Sequence, residues 1–130
     1  MMRIAKDDIP VKVNAPGAVA RQKTDFGDAA AYSTIGAEYF SLAAGVDMAP
    51  LLAGLEHDMC HSPHWGYVIE GDLTVTYKDG SEEQVNTGDM FYWPPYHSIK
   101  VTEDAEFVLF SPQHEHTPVM DHVNSKLSDN

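Results

Sequence analysis

Between Trp65 and Ser111 the chain is cut by turn residues into short apolar segments, and this constrains the fold more than any other feature. WGYVIEG is aromatic and β-branched and ends on Gly71. LTVTYKDG follows, with Leu73, Val75 and Tyr77 on one face and Thr74, Thr76 and Lys78 on the other. Its Asp79-Gly80 pair is a two-residue hairpin signal. SEEQVNTGD reads as the polar return strand, closed by Thr87-Gly88-Asp89. MFYWPP is a short strand stopped by Pro94 and Pro95, and HSIKVT and AEFVLFSP are two more strands, divided by Glu103-Asp104. Strands recurring at about 8–12 residues with tight turns predict an all-β sandwich or barrel, here with six strands in residues 65–111.

The flanks are less regular. Residues 1–30 alternate weakly and are broken by Pro10, Pro16, Gly17 and Gly27, which predicts short strands or extended segments. Gly36–Leu42 reads as a strand, and residues 45–56 admit one helical turn or an irregular loop. From about Pro118 the tail forms a short amphipathic helix, with Val119, Val123 and Leu127 on one stripe. The 130 residues make one domain: extended segments over 1–35, a barrel over 36–111, and a tail with helix over 112–130.

Net charge is −12, so a nucleic-acid duplex or an anionic membrane surface would be repelled, and there is no basic stripe to offset this. No apolar stretch approaches the length of a membrane span. Cys60 is the one cysteine, which excludes an internal disulfide. The opening residues lack the apolar run of a signal peptide, and the expectation is a cytoplasmic protein.

Chemistry concentrates in the histidines. Of seven, three lie in EHDMCHSPH over residues 56–64, beside Glu56, Asp58 and Cys60, which together are the side chains that bind transition metals. His97 opens a strand in which Ile99 and Val101 share its face, so it points into the barrel, where an imidazole needs a partner. His114, His116 and His122 lie in the polar tail and are read as surface residues.

HSPHWGYVIEGDLTVTYKDG followed by NTGDMFYWPPYH resembles the two motifs of the cupin superfamily, G-x5-H-x-H-x3-4-E-x6-G and G-x5-P-x-G-x2-H-x3-N, over roughly residues 57–110. The resemblance implies an all-β, double-stranded β-helix (jelly-roll) barrel with a short C-terminal helix. It also implies one divalent transition metal, Fe, Zn, Mn or Ni. Counted back from Gly71, the family's glutamate falls on His64, and no H-x-H precedes it. The family's second glycine falls on Tyr96, and its histidine comes two residues early, on His97. His64 and His97 are the ligands the resemblance carries over; the rest come from His57, Asp58, Cys60 and His61, with His61 and Cys60 preferred. The ring nitrogens of His64 and His97 are expected roughly 3–4 Å apart, as two ligands of one centre require.

The expected function is a metal-binding cupin that binds or acts on a small molecule inside the barrel. The alternatives are a non-catalytic binding barrel and one whose metal site has decayed. Dioxygenase, isomerase and decarboxylase chemistries all occur on this fold, and fold alone selects none. A homodimer is expected, with the N-terminal segment adding a strand to a partner's sheet edge.

Overall fold

In the computed structural model, which describes residues 2–128, alternation and turns build one antiparallel sheet closed into a barrel. Its strands are β1 (Val11–Ala15), β2 (Ala18–Asp28), β3 (Thr34–Leu42), β4 (His64–Tyr77), β5 (Glu82–Asn86), β6 (Met90–Trp93) and β7 (His97–Pro112). The order is β1-β2-β3-β7-β4-β5, with β6 paired to β4. One helical turn, α1 (Ala49–Leu52), precedes β4, and α2 (Gln113–Ser128) follows β7. This is the jelly-roll arrangement with a C-terminal helix that the motifs imply.

The count of strands differs from the sequence reading. WGYVIEG and LTVTY are one strand, and so are HSIKVT and AEFVLFSP. In β4 the inward positions are His64 and Val68, then Leu73 and Val75, so the alternation slips by one residue between them. Gly71 sits at the slip with φ +103°, and a Cβ there would lie 2.3 Å from the Asp104 carbonyl oxygen and 2.5 Å from the Ala105 Cα. Only glycine allows the two strands to cross so closely. Glu103-Asp104 is therefore no turn; it lies within β7, opposite this bulge.

The hairpin at Asp79-Gly80 is present, with three loop residues rather than two. Tyr77 and Ser81 are bonded across it, Gly80 donates to the Tyr77 carbonyl, and Gly80 alone takes a positive φ. That is the type I turn closed by a left-handed glycine. The N-terminal segment is already inside the sheet: β1 pairs with β2, and β2 with β3.

The core lies inside the barrel and beneath the helices. Val68, Leu73, Val75, Val101 and Phe107 fill the barrel, and Leu52 of α1 meets Val119, Met120 and Val123 of α2 at one end. α2 begins at Gln113, ahead of the expected Pro118, because β7 runs directly into it. The extra turn has a consequence for the site, since it carries His116 inward.

Candidate metal centre

Two loops and three strands converge at the helix-covered end of the barrel. Cys60 and His97 are tied together through the main chain: Cys60 N–H donates to the His97 carbonyl at 2.9 Å, and Tyr96 N–H donates to the Cys60 carbonyl at 2.7 Å. Tyr96 stands where the family pattern has glycine, and its φ of +69° shows why glycine is favoured there. The strain is held by neighbours: the Tyr96 hydroxyl donates to Glu56, and its ring meets His57 edge-on at 4.8 Å.

His64 enters from the start of β4, and β7 brings both of its ends to the same place. A strand from His97 to Ser111 would span about 46 Å if straight. Yet Ser111 lies 2.6 Å from His64 Nδ1, and the His64 and His97 rings are 5.0 Å apart. The coiling of β7 around the barrel is what closes the site.

Cys60, His64 and His97 are all buried, and one donor atom from each lies within 4.8 Å of the others. Cys60 Sγ is 3.5 Å from His64 Nε2. A second set, Glu38, His64 and His116, meets the same criterion. The hydrogen bonds separate the two sets. Ser111 donates to Glu38 Oε1 at 2.6 Å, so its oxygen must accept the contact from His64 Nδ1–H. His97 Nδ1 faces the Pro94 carbonyl at 2.8 Å, which only accepts. Both rings thus carry their proton on Nδ1 and present a bare Nε2, the tautomer of a metal ligand oriented from behind. Both Glu38 oxygens are occupied, one by Ser111 and the other by His116 Nδ1, with Gln22 at 3.5 Å. Glu38 therefore anchors the network, and Cys60, His64 and His97 are the set left able to hold a metal.

The electrostatics suit that division. Burial pushes the His64 imidazole down to about 4, keeping it neutral. Burial also opposes the charge on His116, but the Glu38 carboxylate and then Cys60 outweigh it and hold His116 up at about 10. Burial works against a thiolate at Cys60 too, yet His64, His116 and His97 together bring it well below the ordinary thiol value. A thiolate beside bare imidazole nitrogens is a coordinating set.

The sequence-read residues divide as follows. Cys60, His64 and His97 come together. His61 does not join them: it is the neighbour of Cys60 in the chain, its ring lies half-buried at the surface, and its Nε2 is 3.6 Å from Glu115. His57 and Asp58 sit in a tight turn, Asp58 capping the Gly54 amide, outside both metal-competent sets. His116, read as surface, is buried in the centre, while Glu38 was not singled out at all. One signal existed for Glu38: in the strand GAEYFSL it shares parity with Phe40 and Leu42. His122 does lie on the tail helix and contacts the Ala53 carbonyl at 2.8 Å.

In front of the donors lies a cavity of about 40 Å³, walled by His64, Trp93, His97, Leu52, Met120 and Val123 among others. It is mostly apolar and has room for about three waters. The buried Trp93 indole N–H, beside it, has no partner.

Residues 54–112 match the family described as the Cupin domain. No curated protein sequence matches the chain. Among solved structures, the oxalate decarboxylase of Bacillus subtilis, studied for its Mn(II) centres, is 23% identical with a TM-score of 0.61, over 86% of this chain and 29% of that one. An RmlC-like cupin from Shewanella frigidimarina is 16% identical with a TM-score of 0.59, over 88% of this chain and 93% of that one. Salicylate 1,2-dioxygenase of Pseudoaminobacter salicylatoxidans, in complex with gentisate, is 22% identical with a TM-score of 0.53, over 85% of this chain and 28% of that one. The chain thus spans less than a third of the decarboxylase and of the dioxygenase, and at these identities the likeness is one of fold.

Proposed function

We propose that this chain, a member of the cupin superfamily, holds one divalent transition metal on Cys60, His64 and His97 and presents it to a small molecule in the barrel cavity. The observation that carries the reading is the orientation of the donors. Glu38, Ser111 and the Pro94 carbonyl fix both histidines with Nε2 bare, beside a thiol whose surroundings lower its pKa. A decayed site has no need of such a relay.

The donor set bears on which metal. A thiolate with two imidazoles favours zinc, nickel or iron(II) over manganese, which prefers oxygen donors. Bound there, such an ion supplies Lewis acidity or redox chemistry to whatever reaches its remaining positions. The residues around it do the selecting. The cavity of about 40 Å³ is far below the roughly 300–1,000 Å³ of sites for drug-sized ligands, which favours a molecule of a few heavy atoms. Its apolar walls exclude bulk water, and the free Trp93 N–H offers one hydrogen bond to a ligand acceptor.

A free, buried cysteine agrees with a cytoplasmic location. Among the described residues no helix is long and apolar enough to cross a membrane.

The test is substitution by Co(II). The protein is expected to take up one equivalent and to show a near-ultraviolet thiolate-to-cobalt charge-transfer band. Cys60→Ser should lose that band, His97→Ala should lose more than about tenfold in affinity, and His114→Ala should change neither. Binding of cobalt with no such band would place the metal elsewhere. Oxygen uptake with small thiols or phenols then distinguishes turnover from binding alone.

A further inference from the structure

Two thioethers share the cavity with Cys60, His64 and His97. Met48 stands at the start of α1 and Met120 lies within α2, and both border the space of about 40 Å³ in front of the donors. Met120 is the more firmly held. It follows His116 by four residues, one helical turn on and on the same face, so both belong to the stripe that α2 buries. The His116 ring is 4.3 Å from the His64 ring, which brings this face of α2 against the centre. Met120 is 2% exposed, whereas Met48 is partly open to solvent beside a helix of a single turn.

The chemistry of the wall sorts metals. Among the described residues no carboxylate borders the cavity, and its one side-chain hydroxyl is that of Ser98, which is neutral. The other donors are a thiol, imidazoles and thioethers. Thiolate and thioether sulfur are soft, and soft donors select copper(I). Charge points the same way. Glu38 and His116 sum to zero wherever their shared proton sits, and the His64 and His97 rings each carry one proton, on Nδ1. A monovalent ion on the Cys60 thiolate therefore leaves the centre without net charge. A divalent ion leaves one positive charge among apolar walls such as Phe40, Leu52 and Leu109. An unbalanced buried charge is costly.

We propose that copper(I) is the preferred ion of this centre and that the Met120 thioether is its fourth ligand. The assignment rests on the reading of Cys60, His64 and His97 as the metal centre and extends it beyond divalent ions. Zinc and cobalt(II) still bind through the thiolate and the imidazoles, but they gain little from a thioether. Met120 is then the residue that discriminates between the ions, and the apolar cavity around it keeps bulk water from the cuprous ion.

The full chain is titrated anaerobically with Cu(I), kept reduced by ascorbate, and separately with Co(II) and Zn(II), each against a chelator of known affinity. Cu(I) should bind at one equivalent and at least about tenfold more tightly than Zn(II). Met120→Leu nearly conserves volume and removes the sulfur, so the packing of α2 persists. It should weaken Cu(I) by about tenfold or more, while Co(II) affinity and the thiolate-to-cobalt band stay as in the wild type. X-ray absorption at the copper edge should find two sulfur neighbours in the wild type and one in Met120→Leu. Met48→Leu should match the wild type in both measurements. Cu(I) held no tighter than Zn(II), a Met120→Leu variant that keeps Cu(I) affinity or loses Cu(I) and Co(II) alike, or a single sulfur neighbour in the wild type overturns the proposal and leaves the three-residue centre standing. A chain that takes up neither copper nor cobalt overturns both.

Discussion

At the scale of single residues, the centre is governed by where protons sit. His64 coordinates well only if its proton stays on Nδ1, and that is enforced from Glu38 through Ser111. Ser111→Ala removes the relay without touching a donor atom. It is expected to lower metal affinity by about 10–100-fold, as loss of an orienting partner does, while the cobalt charge-transfer band of the loaded protein keeps its position. Competition against a chelator of known affinity measures the loss. An unchanged affinity would mean that packing alone orients His64. The sequence showed His64, His97 and Cys60 through motif and parity, but not Ser111 or Glu38. Serine and glutamate inside strands are usually on the wet face; parity with Phe40 and Leu42 marks Glu38, and the pairing of β3, β7 and β4 shows that both residues point inward.

At the scale of elements, the two long strands do most of the positioning. β4 and β7 pair along nearly their full length and bend together, and Gly71 is where the bend is accommodated. Gly71→Ala places a Cβ against backbone atoms of Asp104 and Ala105 at a positive φ. Strain and overpacking together should cost more than about 2 kcal/mol, read as a lower urea midpoint with an unchanged slope. A loss below about 0.5 kcal/mol would show that the bulge moves at little cost. Short-range reading divided each of these strands at its polar or glycine centre. A bulge and a turn share the same residue types, and only the partner strand tells them apart. α2 was placed too late in the chain for a similar reason: its first turn, QHEHT, is polar, and what buries His116 is the barrel end beneath it rather than any stripe in the helix.

At the scale of the whole molecule, the proposed metal and the barrel would form one cooperative system. The donors come from the loop before β4 and from β4 and β7, so an unfolded chain offers no preformed site. Metal at a hundred times its dissociation constant should add about 2.7 kcal/mol to stability. For a domain of this size that is a rise in melting temperature of roughly 10 °C, reversed by a chelator. A melting temperature indifferent to zinc, nickel and iron(II) would argue against a native site. The sequence by itself determined the fold class and brought out Cys60, His64 and His97 as candidate donors, because alternation, turn residues and the spacing of His64 and His97 are local or motif-borne signals. Only the tertiary structure decided that His116 and Glu38 belong to the centre, that His61 lies apart, and that the cavity is small and lined by both helices. Those outcomes depend on which distant strands become neighbours and on the coiling of β7, which brings residues fourteen positions apart to one end of the barrel.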